Sequence, residues 1–92
     1  MKKRIRKILD EGSLYNTSLF RLYFIPSTDY KIGFIAKHTI GKPTKRNFIK
    51  RVIREYWRKK FQKGNYVFVL KSTIINTDGL TEALKKVAEK IG

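Results

Sequence analysis

The segment Arg46–Phe61, RNFIKRVIREYWRKKF, constrains the fold more than any other part of the chain. At about 3.6 residues per turn, Ile49, Val52, Ile53, Tyr56 and Trp57 fall on one continuous arc. Arg46, Lys50, Arg54 and Arg58 stack four residues apart on the next arc, and Asn47 and Arg51 broaden that ridge. The spacing predicts a helix over 45–61 that presses its apolar seam on a partner layer and leaves the cations in solvent. An ordinary solvated face alternates in sign, because Glu–Lys pairs four apart add stability. Here Arg46–Lys50, Lys50–Arg54 and Arg54–Arg58 repel, each pair costing roughly 0.2–0.5 kcal/mol. From Lys37 to Lys60 there are ten cations and one acid, Glu55. Phosphate contacts would offset that repulsion, and the flat guanidinium of Arg can hold a phosphate bidentately or stack on a base. Asn47 donates and accepts at once, which suits a ribose hydroxyl or a base edge. The ridge thus predicts a nucleic-acid surface.

The elements around this helix are mixed. Ile5, Ile8 and Leu9 stand at helical spacing within Lys2–Glu11, with Gly12 as a stop. Leu19–Ile25 reads as a strand ending at Pro26, with Phe20, Leu22 and Phe24 on one face and Arg21 and Tyr23 on the other. Ser27-Thr28-Asp29 is turn material, and Tyr30–Lys37 is a second strand, with Ile32, Phe34 and Ala36 opposite Lys31, Gly33, Ile35 and Lys37. The short turn predicts an antiparallel hairpin. His38–Lys45 is a loop with Gly41 and Pro43 as breakers, and Thr44 is the expected N-cap of the basic helix. Gly64 ends that helix, Tyr66–Leu70 is a third strand, and Thr77-Asp78 caps a last helix with Leu80, Leu84, Val87 and Ile91 on its core face. The expected fold is α+β in the order α-β-β-α-β-α, a two-layer sandwich with the sheet covered on one side only.

Composition narrows the function. In 92 residues, 22 Lys and Arg oppose 7 Asp and Glu, a net charge of +15. Solubility alone needs a magnitude of about 2–8, so the excess calls for a polyanionic partner. With 41% apolar residues, including 6 Phe, 5 Tyr and 1 Trp, the chain can bury a core and is not a disordered basic tail. The length predicts one RNA-binding domain over residues 1–92. Having no Cys and one His, it builds no disulfide, thiolate site or multi-histidine zinc site. No apolar run approaches the ~20 residues of a membrane span. Asp10, Glu11 and Gly12 interrupt what would be the apolar part of a secretory signal. A small, soluble, cytoplasmic domain is expected, with no membrane partner.

No protein active site is legible. Asp10 and Glu11 are adjacent on a basic helix and read as solvated, and His38 lacks a partner acid or Cys. Ser13, Ser18 and Ser27 have no accompanying base, which argues against nucleophilic catalysis. Two features favour RNA over DNA. Strands flank the basic helix, so there is no helix-turn-helix spacing. Tyr23 among Arg21, Lys31 and Lys37 on an uncovered sheet face makes a platform for single-stranded nucleotides. Packing of Tyr23 under a helix end is the plainer alternative.

At these residues the sequence resembles the protein subunit of bacterial ribonuclease P. That family carries R-N-R-x-K-R-x-x-R-E on its basic helix, matched here by Arg46, Asn47, Lys50, Arg51, Arg54 and Glu55. Gly33 and Ala36-Lys37-His38 sit where the family has a glycine, a lysine pair and a basic loop, and Gly12 fits the end of its first helix. Phe48 replaces the second Arg of the motif, His38 the second Lys, and Ile5 and Leu9 the usual Phe; the N-terminal tail is short for the family. The resemblance implies a fold similar to the second domain of a small-subunit ribosomal protein, with a left-handed crossover against the usual hand. It also implies that an RNA subunit is the catalyst of phosphodiester hydrolysis and holds the Mg²⁺, with none bound by the chain alone. Carried over, Arg46, Asn47, Lys50, Arg51, Arg54 and Arg58, with Lys37, His38, Lys42 and Lys45, dock on ribonuclease P RNA. Ile5, Leu9, Arg21, Tyr23, Lys31 and Lys37 hold the 5′ leader of precursor tRNA. The protein would act as a monomer within the ribonucleoprotein. A ribosomal or other structural RNA-binding protein would explain size and charge equally, but not an ordered cation–Asn ridge beside an open aromatic sheet face; a DNA-binding regulator lacks a docking motif.

Overall fold

The computed structural model describes residues 3–36, 42–71 and 79–91. The elements are α1 (Lys3–Glu11), β1 (Ser13–Asn16), β2 (Phe20–Ile25), β3 (Tyr30–Ala36), α2 (Pro43–Lys60), β4 (Gly64–Leu70) and α3 (Leu80–Ile91). The α+β class and the three helices are as expected. The sheet has four strands in the order β1-β2-β4-β3, one more than the sequence reading supplied.

β4 holds the sheet together, antiparallel to β2 and parallel to β3. The expected hairpin between β2 and β3 is therefore corrected: the two run in opposite directions, but β4 lies between them. Its run Tyr66–Leu70 is apolar throughout, and Tyr66, Val67, Phe68 and Leu70 are buried. A strand apolar on both faces belongs in the interior of a sheet. β3 carries the exposed Lys31 and takes the edge. Pro26–Asp29 can reach about 13 Å when extended, enough to step across one intervening strand, about 10 Å. α2 supplies the crossover that the parallel pair β3–β4 requires.

β1 is a four-residue edge strand paired with β2 from Ser13↔Phe24 to Asn16↔Arg21. Thr17 builds the corner between them. Its Oγ1 donates to the Phe20 carbonyl at 2.9 Å and accepts from the backbone N–H groups of Phe20 and Leu19 at 3.0 and 3.2 Å. The basic helix begins earlier than expected. Lys42 is its N-cap residue, without a side-chain cap, and Pro43 opens the first turn. Proline's fixed φ and missing N–H suit that position, so Pro43 starts the helix and Thr44 lies inside it. The expected cap Thr77-Asp78 lies outside the described residues.

The main core lies between the sheet and α2 with α3. Ile49, Ile53 and Trp57 of α2 and Leu80, Leu84 and Val87 of α3 pack with Phe20, Leu22, Tyr66, Phe68 and Leu70. Trp57 stands edge-on to Phe68 and Tyr66, with centroids 5.1 and 5.4 Å away. Burial pushes the Tyr66 phenol up to about 12, and it donates to the Lys63 carbonyl at 2.8 Å. Val67, alternating with Tyr66 and Phe68, faces the other side of the sheet. It is fully buried there, outside the main core. α1 contacts β2 and β4 and buries Ile8, so α1 covers part of this second face, which corrects the expectation of a sheet covered on one side only.

Gly64 does not end the helix; it is the first residue of β4, with φ +115°. A Cβ there would meet Tyr66 Oη at 2.7 Å and Phe24 Cε1 at 2.9 Å. Gly79 has φ +75° with nothing within 4 Å of the same position. Gly79→Ala should cost about 1 kcal/mol, from the left-handed backbone alone. Gly64→Ala should cost at least ~2 kcal/mol more, because strain and overpacking add. Urea unfolding midpoints of the two variants check this order.

Candidate nucleic-acid interface

Burial of Ile49, Ile53 and Trp57 turns the opposite side of α2 outward. Asn47, Arg51, Arg54 and Arg58 are exposed, and Arg46, Lys50 and Lys45 are half-buried. Lys42 is exposed at the N-cap. The first turn of α2 holds no acid, and Arg58, Lys59 and Lys60 occupy the last, where they favour the helix dipole. None of the ridge cations forms an ion pair with another described residue. Lys37 and His38 lie outside the described residues.

The ridge stands beside the β3 edge. Arg54 lies over the Phe34 ring, 5.5 Å from its centroid. Burial pushes the Tyr30 phenol up, while Arg58 and Arg54 pull it down. At the N-terminal end, Phe48 stays outside the core, 47% exposed, with the Arg51 guanidinium 5.4 Å from its ring centroid.

The second face of the sheet carries the other candidate residues. Arg21 and Lys31 are exposed and Tyr23 is half-buried. The registers lay Leu14, Tyr23, Val67 and Gly33 across the four strands in one row, and Asn16, Arg21, Val69 and Ile35 in the next. Leu9 is half-buried on α1; Ile5 lies on the same helix, its side chain outside the described set. The sequence reading missed Leu14, which is 53% exposed beside Tyr23. Alternation along Ser13–Asn16 was the available signal, too short to separate from a loop. Val69 was missed as a floor residue because the row became visible only once β4 was placed between β2 and β3; Ile35, read from alternation on the Lys31 face, joins it there. Among the described residues there is no group of three or more His, Cys, Asp or Glu that could hold a metal, and no helix is long and apolar enough to cross a membrane.

A family model described as Ribonuclease P matches residues 1–92. The ribonuclease P protein component of a Nitratiruptor species is 30% identical over 95 residues, covering 98% of this chain and 87% of that protein. That of Coprothermobacter proteolyticus is 22% identical over 80 residues, covering 84% and 67%. Among solved structures, the RNase P protein from Thermotoga maritima superposes with a TM-score of 0.81 at 22% identity, covering 98% of this chain and 93% of that one. The Staphylococcus aureus RNase P protein gives 0.81 at 20% identity, covering 99% and 93%. These two establish the fold.

Fold and family match together define the α+β protein part of a ribonucleoprotein, one that associates with RNA. More narrowly, the chain belongs to the ribonuclease P protein family, the protein component of the endoribonuclease that matures the 5′ end of tRNA.

Lys50→Ala, Arg51→Ala and Arg54→Ala should each weaken assembly with ribonuclease P RNA by about 1–2 kcal/mol, the worth of one charge-assisted contact. Each should also flatten the salt dependence of binding by about one counterion. Filter-binding titrations across a salt series measure both; three variants that assemble like the wild type would make the ridge a solvated face.

Proposed function

We propose that the α2 ridge docks on the catalytic RNA and that the second sheet face holds the 5′ leader of precursor tRNA. The observation that carries this reading is the pairing of two surfaces on one small domain. One is a cationic helix face with no neutralising partner among the described residues. The other is a sheet face where Tyr23 stands between Arg21 and Lys31 in a largely apolar floor. Phosphates answer the first, and a single strand with an unstacked base answers the second.

In this reading residues 1–92 act as a single RNA-binding domain, monomeric within the ribonucleoprotein and working in the cytoplasm. Arg46, Asn47, Lys50, Arg51, Arg54 and Arg58, with Lys42 and Lys45, make the docking contacts, joined by Lys37 and His38. Leu9 and Ile5 form the apolar wall of the leader groove, Tyr23 its stacking platform, and Arg21, Lys31 and Lys37 its cationic rim. Hydrolysis uses Mg²⁺ held mainly by the RNA; the chain has only seven acidic side chains to offer a hard cation. The protein's part is to bind and align substrate, and alone it cleaves nothing.

Tyr23→Ala should weaken binding of precursor tRNA to the assembled enzyme by about 1–3 kcal/mol, the worth of one stacked base. Mature tRNA, which has no leader, should bind unchanged, as should the catalytic RNA. Equal losses for precursor and mature tRNA would make Tyr23 a folding residue and remove it from the groove.

A further inference from the structure

Among the described residues, two large apolar side chains are exposed, Leu14 and Phe48. Leu14 continues the apolar row beside Tyr23. Phe48 stands apart from that face, on the most cationic helix of the chain, where an aromatic ring neither packs nor neutralises. It lines a surface cavity of about 420 Å³ with Thr44, Asn47, Arg51 and Arg54. That volume lies within the range of small-ligand sites, roughly 300–1,000 Å³. No acid lines it. The Arg51 guanidinium lies over the ring, and Phe48 as a whole residue is 47% exposed. An aromatic plane held by a cation, an amide that reads either edge polarity and a second guanidinium, that of Arg54, with no acid in the lining are the parts of a nucleotide site.

We infer that this cavity takes one unpaired nucleotide of the docked RNA, its base stacked on Phe48, its edge on Asn47 and its phosphate on Arg51 or Arg54. The inference rests on the docking role of the ridge and narrows it. Phe48 trades one phosphate contact, charge-driven and blind to pairing state, for a contact that requires a base free of its stack. The helix would then recognise a bulge or an unpaired junction rather than a continuous duplex.

Three labelled RNA hairpins test this by fluorescence anisotropy at fixed salt: a fully paired stem, the same stem with one bulged adenosine, and the same bulge made with an abasic ribose. The wild-type chain should bind the adenosine bulge about tenfold tighter than the abasic one. Phe48→Trp should keep that preference. Phe48→Ala and Phe48→Leu should lose it while binding the paired stem as the wild type does, since phosphate contacts remain. No preference in the wild type, or a preference that survives Phe48→Ala, overturns the inference. The doubly substituted Lys50→Ala, Arg54→Ala chain separates the two readings. If it binds all three hairpins like the wild type, the docking ridge itself fails. If it binds all three more weakly while the wild type shows no base preference, the ridge stands and only the stacking site falls.

Discussion

Trp57 seats α2 on the sheet, and the exposure of Arg51, Arg54 and Arg58 on the opposite side of the helix follows from that contact. Its ring is fully buried and meets Phe61, Tyr66 and Phe68 with centroids 4.7, 5.4 and 5.1 Å away. Ile49 and Ile53 extend the same seam. Burying each such side chain contributes about 1.5–3 kcal/mol. The three like-charge pairs along the ridge together oppose helix formation by about 1 kcal/mol. Packing therefore wins by a wide margin, and the helix can present a row of repelling cations that would be unstable on an isolated peptide.

The fold separates two chemistries by sheet side. On one side α2 and α3 enclose the aromatic core. On the other, α1 packs on β2 and β4, Val67 is buried, and Arg21, part of Tyr23, Lys31 and Leu14 stay accessible. The two sides meet at the β3 edge, where Arg54 lies over Phe34. In the proposed assembly this edge is where the catalytic RNA and the leader come closest, which suits a protein that aligns one with the other. The departures from the family's motif fall on both surfaces. Phe48 replaces a cation on the ridge, and Leu9 offers an aliphatic wall where aromatic stacking would be stronger.

Much of this organisation was legible in the sequence. Helical spacing placed Ile49, Ile53 and Trp57 inside and the ridge outside, and strand alternation separated Phe20 and Leu22 from Arg21. Leu80, Leu84 and Val87 were read as a core stripe and are buried. Pairing was not legible, because it depends on which strand most needs burial on both faces. The run Tyr66–Leu70 held that information, yet a short turn such as Ser27-Thr28-Asp29 argues equally for a hairpin. The helix start was misread for a local reason, since Pro43 is a breaker in a loop and a favoured opener at a helix start. The exposure of Phe48 could not be foreseen, because position 48 borders the apolar arc, and only the closed packing of α2 on β4 shows that the ring stays out.

The central claim is that the two sides of one sheet touch two different RNAs. The chain has no cysteine, so a single introduced thiol gives a unique attachment point. Glu55→Cys borders the ridge and Leu14→Cys lies on the second sheet face beside Tyr23, both at exposed positions. An iron chelate tethered at each site, in the assembled enzyme with precursor tRNA bound, releases hydroxyl radicals that cut the nearest strand. The probe at position 55 should cut ribonuclease P RNA, and the probe at position 14 should cut the leader of the precursor tRNA. Cuts in the same strand from both positions, or a leader left intact by the probe at position 14, would contradict the account.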